Sequence, residues 1–452
     1  MAILPVALWT DVLVWLLVAA VAGFAWYSSR RAHLAAPWRR VFRSRAAIAA
    51  GVFLLAYIAI GLADSLHYRP ALPARDAGAA TMYAVEVRSL LDAALGSLRA
   101  RSERTYSAPL ATRLYQKEQI EQPDGRSVRD YPRLRHGGAH LKDEAEWAGD
   151  VAKRILGGAG ASLVLILLLL IPIRKLMNKV PAVPWTAAGA SLCVLLLIAG
   201  PVAALAAGYH VLGTDKVGQD VLYQALKSIR TSLVIGTLTT LVLLPLGIVA
   251  GIVAGYFKGW VDDVIQYAYT TLNSIPGVLL IAASVLMVQV YVDANPELFP
   301  TAAQRSDFRL LMLCAILGAL GWTGLARLLR GETLKLGELE YIQAAHAFGV
   351  SHARILARHI LPNVAHIVII ALVMDFSGLV LAEAVLSYVG VGVDPSTISF
   401  GSMINSARLE MAREPMVWWS LATAFAFMFV LVLAANLFAD AVRDGFDPRV
   451  RV

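Results

Sequence analysis

The stretch EYIQAAHAFGVSHARILARHILPN, residues 340–363, is a polar, helix-forming segment between two long apolar runs. Gly349 can adopt a positive φ and so end a first helix, and Ser351 is suited to cap a second one. Pro362 restricts the residue before it and is expected to break the second helix just before the next apolar run. The stretch therefore predicts two short helices joined by a turn.

One face of the first predicted helix is apolar or small. Tyr341, Ala344, Ala345 and Phe348 recur at helical spacing and give a short amphipathic face. Small alanines permit close approach by another protein. The segment is therefore either a docking surface for a partner or a solvated connector.

The flanking runs decide the class of protein. Of the 452 residues, 58% are hydrophobic and only 16% are charged, whereas soluble proteins carry about a quarter charged residues. Runs of about 20 apolar residues are long enough to cross a bilayer. The sequence predicts an all-α integral membrane protein, a polytopic helical bundle with nine spans: 7–27, 46–63, 157–173, 184–207, 231–255, 264–292, 309–329, 364–386 and 417–438.

Basic residues orient these spans. The link between the first two spans contains no acid and six arginines: Arg30, Arg31, Arg39, Arg40, Arg43 and Arg45. Short loops with this bias face the cytoplasm. Alternation then predicts an external N-terminus, a cytoplasmic C-terminus, a cytoplasmic 331–363 and an external 64–156. Much of the net charge of +8 flanks spans, so no nucleic-acid partner is expected.

The external segment 64–156 predicts a small soluble insert. YRPALPARDAG (68–78) predicts a linker with turns, and EQPDGRSVRDYP (121–132) predicts a polar loop. A helix is predicted over 82–101 with one apolar face: Val87, Leu91, Leu95 and Leu98. The insert is expected to be a helical cap or a docking surface for an external partner.

Motifs for catalysis are missing from the sequence. It contains no G-x-x-x-x-G-K-[ST] phosphate loop, no H-E-x-x-H zinc motif and no G-x-S-x-G nucleophile motif. Cys193 and Cys314 lie in apolar runs, which favours buried thiols over a disulfide or a metal site. The chain is therefore expected to be no enzyme, with no catalytic residue, no metal and no cofactor of its own.

Polar side chains within spans are costly and usually face protein or water. Asp375 and Glu383 lie eight residues apart in one span, on roughly one helical face. They either line a translocation path that attracts a cationic group or pair with a neighbouring helix. Asn273 and Ser274 precede Pro276, where a bend is expected, and lining the path is a second hypothesis for them.

The loop 210–220 is predicted to be a structured turn at the outer mouth, because glycine and aspartate favour turns. Its candidate residues are His210, Gly213, Thr214, Asp215, Gly218 and Asp220. They either contact substrate or brace the next span. An isolated His210 would titrate near neutral pH, although a lone loop histidine is more often structural.

Four segments occur in the order found in permeases of the dipeptide, oligopeptide and nickel branch of ABC importers. QAAHAFGVSHARILARHILPN (343–363) resembles the coupling-loop signature E-A-A-x-x-x-G-x(9)-I-x-L-P. HVLGTDKVGQDV (210–221), LAEAVLSYVGVG (381–392) and ADAVRDGFDPR (439–449) resemble other segments of that branch. The resemblance covers about 205–450.

The resemblance implies a type I ABC-importer permease core that imports peptides or peptide-like solutes across the bacterial inner membrane by alternating access. It implies these partners: a second homologous permease, two cytoplasmic ATPases that bind ATP and Mg²⁺, an extracytoplasmic substrate-binding protein, and the lipid bilayer. The ATPase contact is implied for Glu340, Gln343, Ala344, Ala345, Phe348, Gly349 and Pro362. Gln343 stands where the family typically has glutamate.

The predicted division is 1–63 for two N-terminal spans, 64–156 for the insert, 157–207 for two further spans and 208–452 for the permease core. The family's first span corresponds to either 46–63 or 184–207. Two alternatives are a stand-alone secondary transporter and a non-transporting receptor that uses the insert as its binding domain.

Overall fold

The computed structural model describes residues 3–72, 82–121, 127–179, 183–394 and 396–446. The helices in these ranges are α1 (Trp9–Ser29), α2 (Ala32–Val41), α3 (Arg45–Asp64), α4 (Leu90–Ala94), α5 (Gly96–Ala100), α6 (Trp147–Lys179), α7 (Trp185–Ala206), α8 (Val221–Phe257), α9 (Gly259–Ser274), α10 (Gly277–Ala294), α11 (Ala302–Gly321), α12 (Thr323–Gly337), α13 (Glu340–Ala347), α14 (His352–Ile355), α15 (Leu361–Val389), α16 (Phe400–Glu410) and α17 (Trp419–Phe446). The strands are β1 (Ile3–Val6), β2 (His67–Pro70), β3 (Arg88–Ser89), β4 (Glu118–Glu121) and β5 (Ser127–Asp130). Parts of three predicted segments, 73–78, 122–126 and 447–449, lie outside the described residues.

The predicted number of membrane spans is confirmed for the described part of the chain. Nine helical stretches there are long and apolar enough to cross a bilayer: Trp9–Ser29, Arg45–Asp64, Glu144–Pro172, Trp185–Ala206, Val221–Phe257, Gly277–Ala294, Ala302–Gly337, His352–Val389 and Trp419–Phe446. The predicted span 264–292 is broken, because Ile275 is extended before Pro276 and separates α9 from α10. The expected bend at this proline is thus a full interruption.

The chain forms two compact units from interleaved segments. The first contains Met1–Ala7, Phe42–Ser232 and Thr397–Ala434; the second contains Leu8–Val41, Leu233–Ser396 and Ala435–Val452. The predicted segment boundaries stay predictions. In the first unit, α6 packs along α7 and α7 along α3, so the two further spans and the insert belong to the same unit as α3.

The insert is not purely helical, so that part of the predicted fold is wrong. β1, β2 and β3 form an antiparallel sheet, and β4 pairs with β5. The predicted linker therefore begins as strand β2, and the predicted polar loop ends in strand β5. In place of one helix over 82–101, Ser89 and Asp92 form a capping box that starts α4 at Leu90. Leu91 and Leu98 are buried as expected.

Three glycines in the second unit bring α8 against α12. A Cβ atom on Gly251 would lie 2.6 Å from the carbonyl oxygen of Ala326, and one on Gly255 would lie 2.7 Å from that of Arg330. Gly247 lies one turn earlier, against Leu325. Such small residues at intervals of four let membrane helices approach closely. This contact fixes the position of α12, which leads into the 340–363 segment.

Candidate functional site

The predicted turn in the 340–363 segment lies at Gly349. Its φ is +74°, which is the left-handed conformation that favours glycine. The Gly349 N–H donates to the His346 carbonyl at 2.9 Å, and the Val350 N–H donates to that of Ala345 at 3.0 Å. This pair of bonds is a Schellman motif. It ends α13 and fixes the angle at which the chain enters α14.

The second half of the segment differs from the prediction. Ser351 occupies the N-cap position of α14, but its side chain makes no capping hydrogen bond. Pro362 does not break the helix: α14 continues through a wide π turn at Leu356–Ile360 into α15. Pro362 falls in the first turn of α15, where the missing proline N–H is tolerated. The segment is thus continuous with the long span that follows it.

Three isoleucines anchor the segment. Ile342, Ile355 and Ile360 are fully buried and belong to one apolar cluster with Leu329 of α12 and Leu243 of α8. Fully burying such side chains stabilises by about 1.5–3 kcal/mol each. The segment is therefore packed as a rigid part of the second unit.

The predicted amphipathic face of α13 points mostly outward. Tyr341 and Ala344 are exposed, and Phe348 is 85% exposed. Ala345 alone is half-buried and packs on the isoleucine cluster. The buried residue of α13 is Ile342, which the predicted face did not include. α13 consequently exposes an apolar face, while its opposite side packs on the isoleucine cluster.

Three further residues implied at a partner contact are exposed as well. Glu340 and Gln343 of α13 and Pro362 of α15 lie on the surface. The Gln343 side chain donates to the Glu338 carbonyl at 3.3 Å. Asn363 donates to the Tyr341 hydroxyl at 3.1 Å, which ties the two ends of the segment together.

Tyr256, near the end of α8, holds the turn from the other side. Its hydroxyl lies 3.0 Å from Nε2 of His346 and 2.8 Å from Nδ1 of His352. Lys258 and Glu338 form an ion pair at 2.6 Å beside it. Sequence reasoning missed this cluster, because α8 and α13 are about 90 residues apart. The aromatic Tyr256 at the end of an apolar run was its one local signal.

A cavity of about 890 Å³ lies in the second unit between α12, α15 and the end of α17. Asp375, a predicted path residue, lines it. Three further polar side chains line it and were not predicted: Glu332, His366 and Arg443. A mixed lining of acid, base and apolar residues can accept a zwitterionic ligand.

The other predicted path residues lie elsewhere. Glu383 is fully buried and accepts a hydrogen bond from Ser387, one turn away, at 2.7 Å. Asn273 accepts from the Thr323 hydroxyl at 3.3 Å, and Ser274 donates to the Thr270 carbonyl at 2.8 Å. Of the four candidates, only Asp375 is among the described residues that line the cavity.

The loop 210–220, which was predicted to lie at the outer mouth, belongs to the first unit and packs against the insert. His210 lies 2.7 Å from Asp220 and 3.4 Å from Glu103 of the insert, and all three side chains are at most 2% exposed. Burial alone would lower the pKa of His210, but the hydrogen bonds that the imidazole donates to Asp220 and Glu103 outweigh it and raise the pKa to about 9. At neutral pH His210 is therefore a buried cation between two carboxylates.

Glu103 is held in its ionised form by the same arrangement. Burial favours the neutral acid, but hydrogen bonds from His210 and from the N–H groups of Arg135, His136 and Gly137 lower its pKa to about 2. The predicted candidate His210 thus pairs with an acid that sequence reasoning did not single out.

The glycines of the 210–220 loop lie at the points where the backbone of the insert approaches the backbone of the loop most closely. A Cβ on Gly213 would lie 2.5 Å from the Ser107 carbonyl oxygen, and one on Gly218 would lie 2.0 Å from that of Glu103. Thr214 accepts a hydrogen bond from the Ser107 N–H at 2.7 Å. These contacts pack the loop against the insert. Contact of the loop with substrate, or bracing of the next span, stays a prediction.

The two aspartates of the loop hold its own backbone. Asp215 accepts from the N–H groups of Val217 and Gln219, at 2.9 and 2.8 Å. Asp220 accepts from the N–H of Leu222 at 2.9 Å and so caps α8.

Comparison with known proteins finds a family match over the second half of the chain. The family described as binding-protein-dependent transport system inner membrane component matches residues 247–452. That range contains the 340–363 segment and excludes the insert.

Individual relatives agree with this match. The oligopeptide transport system permease protein OppC of Mycobacterium bovis is 31% identical over 242 residues, which are 54% of this chain and 77% of the relative. The glutathione transport system permease protein GsiD of Pectobacterium atrosepticum is 33% identical over 242 residues, which are 54% and 73%. A solved inward-facing structure of the MetNI methionine ABC transporter superposes with a TM-score of 0.38 at 16% identity, over 50% of this chain and 98% of that one.

Proposed function

This chain belongs to the family of binding-protein-dependent transport system inner membrane components, and we propose that it forms half of the translocation path of an ATP-driven importer of peptides or peptide-like solutes. Relatives at 31% and 33% identity are named for oligopeptide and glutathione transport, which supports the peptide class. ATP hydrolysis belongs to separate cytoplasmic subunits, two per transporter, and a second homologous permease supplies the other half of the path.

The orientation follows from charge. The arginine-rich link between the first two spans faces the cytoplasm of the inner membrane. The N-terminus and the insert then face outward, toward the substrate-binding protein. The 340–363 segment and the C-terminus face the ATPases.

One observation supports the coupling role: the 340–363 segment has an exposed apolar face on one side and fully buried isoleucines on the other. Phe348 is 85% exposed, while Ile342, Ile355 and Ile360 are 0% exposed. A partner that binds the exposed face of α13 therefore moves the whole packed segment and not a flexible loop. Because the segment continues into α15 without a break, that movement reaches the helix that lines the cavity.

The cavity lined by Asp375 supports a binding place for the peptide within the path. Asp375 offers a carboxylate to a peptide amino terminus, and Arg443 and His366 offer basic groups to a carboxylate. ATP can bias the transporter only through contacts that differ between its two states. The exposed face of α13 is the surface at which the contacts between this chain and the ATPase would differ between the two states.

The test substitutes the turn glycine. Gly349→Val should leave the apolar core intact, because no atom lies within 4 Å of the added Cβ. It must however hold a β-branched residue at φ +74°, which costs about 1–3 kcal/mol. We expect ATPase affinity and substrate-stimulated hydrolysis in lipid to fall about tenfold, since about 1.4 kcal/mol corresponds to a factor of ten.

Gly337→Val is the matched control. Gly337 ends α12, also has nothing within 4 Å of an added Cβ, and has no positive φ. Coupling should survive in this variant. Unchanged ATPase stimulation and assembly in Gly349→Val would overturn the coupling role, and uptake without any ATPase would instead support a secondary transporter.

A further inference from the structure

A second cavity, of about 620 Å³, lies in the insert within the first unit. The β4–β5 hairpin contributes Gln119 and Ser127 to its wall. Arg104, Arg133 and Arg135 line it together with Glu103. The volume falls within the range of about 300–1,000 Å³ that is typical of small-molecule sites.

The charge of this cavity is positive. Glu103 is the one carboxylate among the described lining residues. It is buried and already accepts hydrogen bonds from three main-chain N–H groups and from His210. The His210 cation is shared between Glu103 and Asp220, so it offsets only part of their charge. Three arginines against one glutamate still leave the cavity lining with a net positive charge.

The hydrogen-bonding capacity of the three guanidinium groups is only partly used by other residues of the described chain. Arg104 pairs with Glu118 at 3.2 Å on the surface, and Arg133 donates to the Leu141 carbonyl at 3.0 Å. Within the described part of the chain, no carboxylate pairs with the guanidinium of Arg135, whose main-chain N–H alone is used by Glu103. Both Arg133 and Arg135 are exposed.

We propose that this cavity binds the C-terminal carboxylate of a peptide outside the membrane. Guanidinium groups bind carboxylates through two parallel hydrogen bonds, which makes arginine suited to this group. Gln119 and Ser127 add neutral hydrogen-bonding groups beside the charged ones. An acidic surface of a protein partner fits less well, because stable protein interfaces cover about 800 Å² per partner and this is a recess formed by a few side chains.

The inference rests on the proposed peptide importer and extends it, because the family match begins at residue 247 and does not include the insert. It assigns the insert a receiving site for the peptide, separate from the cavity lined by Asp375.

The experiment uses the full chain in nanodiscs without ATPase subunits. Calorimetric titration compares trialanine with its C-terminal amide. We expect the free acid to bind at least tenfold more tightly than the amide. Arg133→Gln and Arg135→Gln should each weaken binding of the acid about tenfold and leave the amide unchanged. Arg135→Lys should be intermediate, since it keeps the charge but loses the bidentate geometry.

Arg113→Gln is the matched control. Arg113 is an exposed insert arginine that pairs with Glu144 at 2.7 Å and is not among the residues that line the cavity. Binding should be unchanged in this variant. Hydrogen exchange across the insert should also be unchanged in the glutamine variants, which separates loss of binding from loss of folding.

Equal binding of acid and amide would overturn the inference, as would full binding by the Arg133→Gln, Arg135→Gln double variant. Arginine-dependent binding of an acidic substrate-binding protein with no peptide binding would overturn it too. The proposed function fails separately, when reconstituted transporter shows no ATP-dependent uptake while acid-selective binding persists.

Discussion

The buried Glu103–His210–Asp220 cluster should hold the insert against the 210–220 loop, and replacing Glu103 by glutamine tests this. The carboxylate accepts from the N–H groups of Arg135 and His136 at 2.9 and 2.8 Å and from His210 at 3.4 Å. The side-chain NH₂ group of glutamine would face main-chain N–H groups that also donate, so a hydrogen bond to the carboxylate would be lost. It would also leave His210 with a single carboxylate partner, Asp220.

The pKa of Glu103 sets the size of the effect. Lowering it from 4.5 to about 2 corresponds to about 3 kcal/mol, at about 1.4 kcal/mol for each tenfold change in proton affinity. The Glu103 N–H donates to the Gly218 carbonyl at 2.9 Å, and the Thr214 N–H donates to that of Ser107 at 3.1 Å. If local opening becomes about 3 kcal/mol easier, these amides should exchange with deuterium roughly a hundredfold faster.

The same cluster predicts a pH window. The folded-state pKa of Glu103 is below 4.5, so its contribution is present above 4.5 and is lost as the pH falls toward about 2. The folded-state pKa of His210 is above 6.5, so its contribution is complete below 6.5 and is lost as the pH rises through about 9. The difference in exchange between the parent protein and Glu103→Gln should be largest between 4.5 and 6.5 and should shrink above about 9.

The assay is hydrogen–deuterium exchange of the full chain in nanodiscs at about pH 6 and about pH 9.5. Glu86→Gln is the control, because Glu86 is 54% exposed and pairs with Arg88 on the surface at 3.2 Å. Such pairs contribute about 1 kcal/mol or less, so exchange should change less than fivefold. Exchange within threefold of the parent in Glu103→Gln, or an effect of equal size at both pH values, would refute the reasoning.

Two further outcomes test the second unit. Gly251→Val places a side chain 2.6 Å from the Ala326 carbonyl oxygen and should destabilise by about 1–3 kcal/mol, seen as a lower thermal midpoint of tryptophan fluorescence in detergent. Gly331→Val, which meets no atom within 4 Å, should keep the parent midpoint, and equal midpoints for both variants would contradict the packing argument. Asp375→Asn should slow uptake of peptides with a free amino terminus by the reconstituted transporter and spare N-acetylated peptides. An equal loss for both peptides would argue against a role for Asp375 in binding the amino terminus.

Some features depend on local sequence, and these were predictable. The number of spans follows from the lengths of apolar runs, because a bilayer of fixed thickness selects helices of about 20 residues. The turn at Gly349 follows from the freedom of glycine at positive φ, and the interruption at Pro276 follows from the effect of proline on the preceding residue. Each is decided within a few residues of the chain.

Local patterns failed where the deciding partner was distant in sequence. The insert was predicted to be helical, yet β2 pairs with β1, about 60 residues earlier. Pro362 was expected to end a helix, but the π turn before it placed the proline in a first turn. Asp375 and Glu383 share one helix and were predicted together, although Asp375 lines the cavity of about 890 Å³ and Glu383 is not among its described lining residues.

By itself, the sequence determined that the described part of the chain has nine helical stretches long and apolar enough to cross a bilayer. It also determined the glycine turn in the polar segment, because bilayer thickness and backbone preference act locally. Only the tertiary structure decided which face of α13 is buried, through Ile342 and its contacts with other helices. It also placed His210 between Glu103 and Asp220, and Arg104 beside Arg133 and Arg135. Those arrangements depend on packing between residues far apart in the chain, which no local pattern encodes.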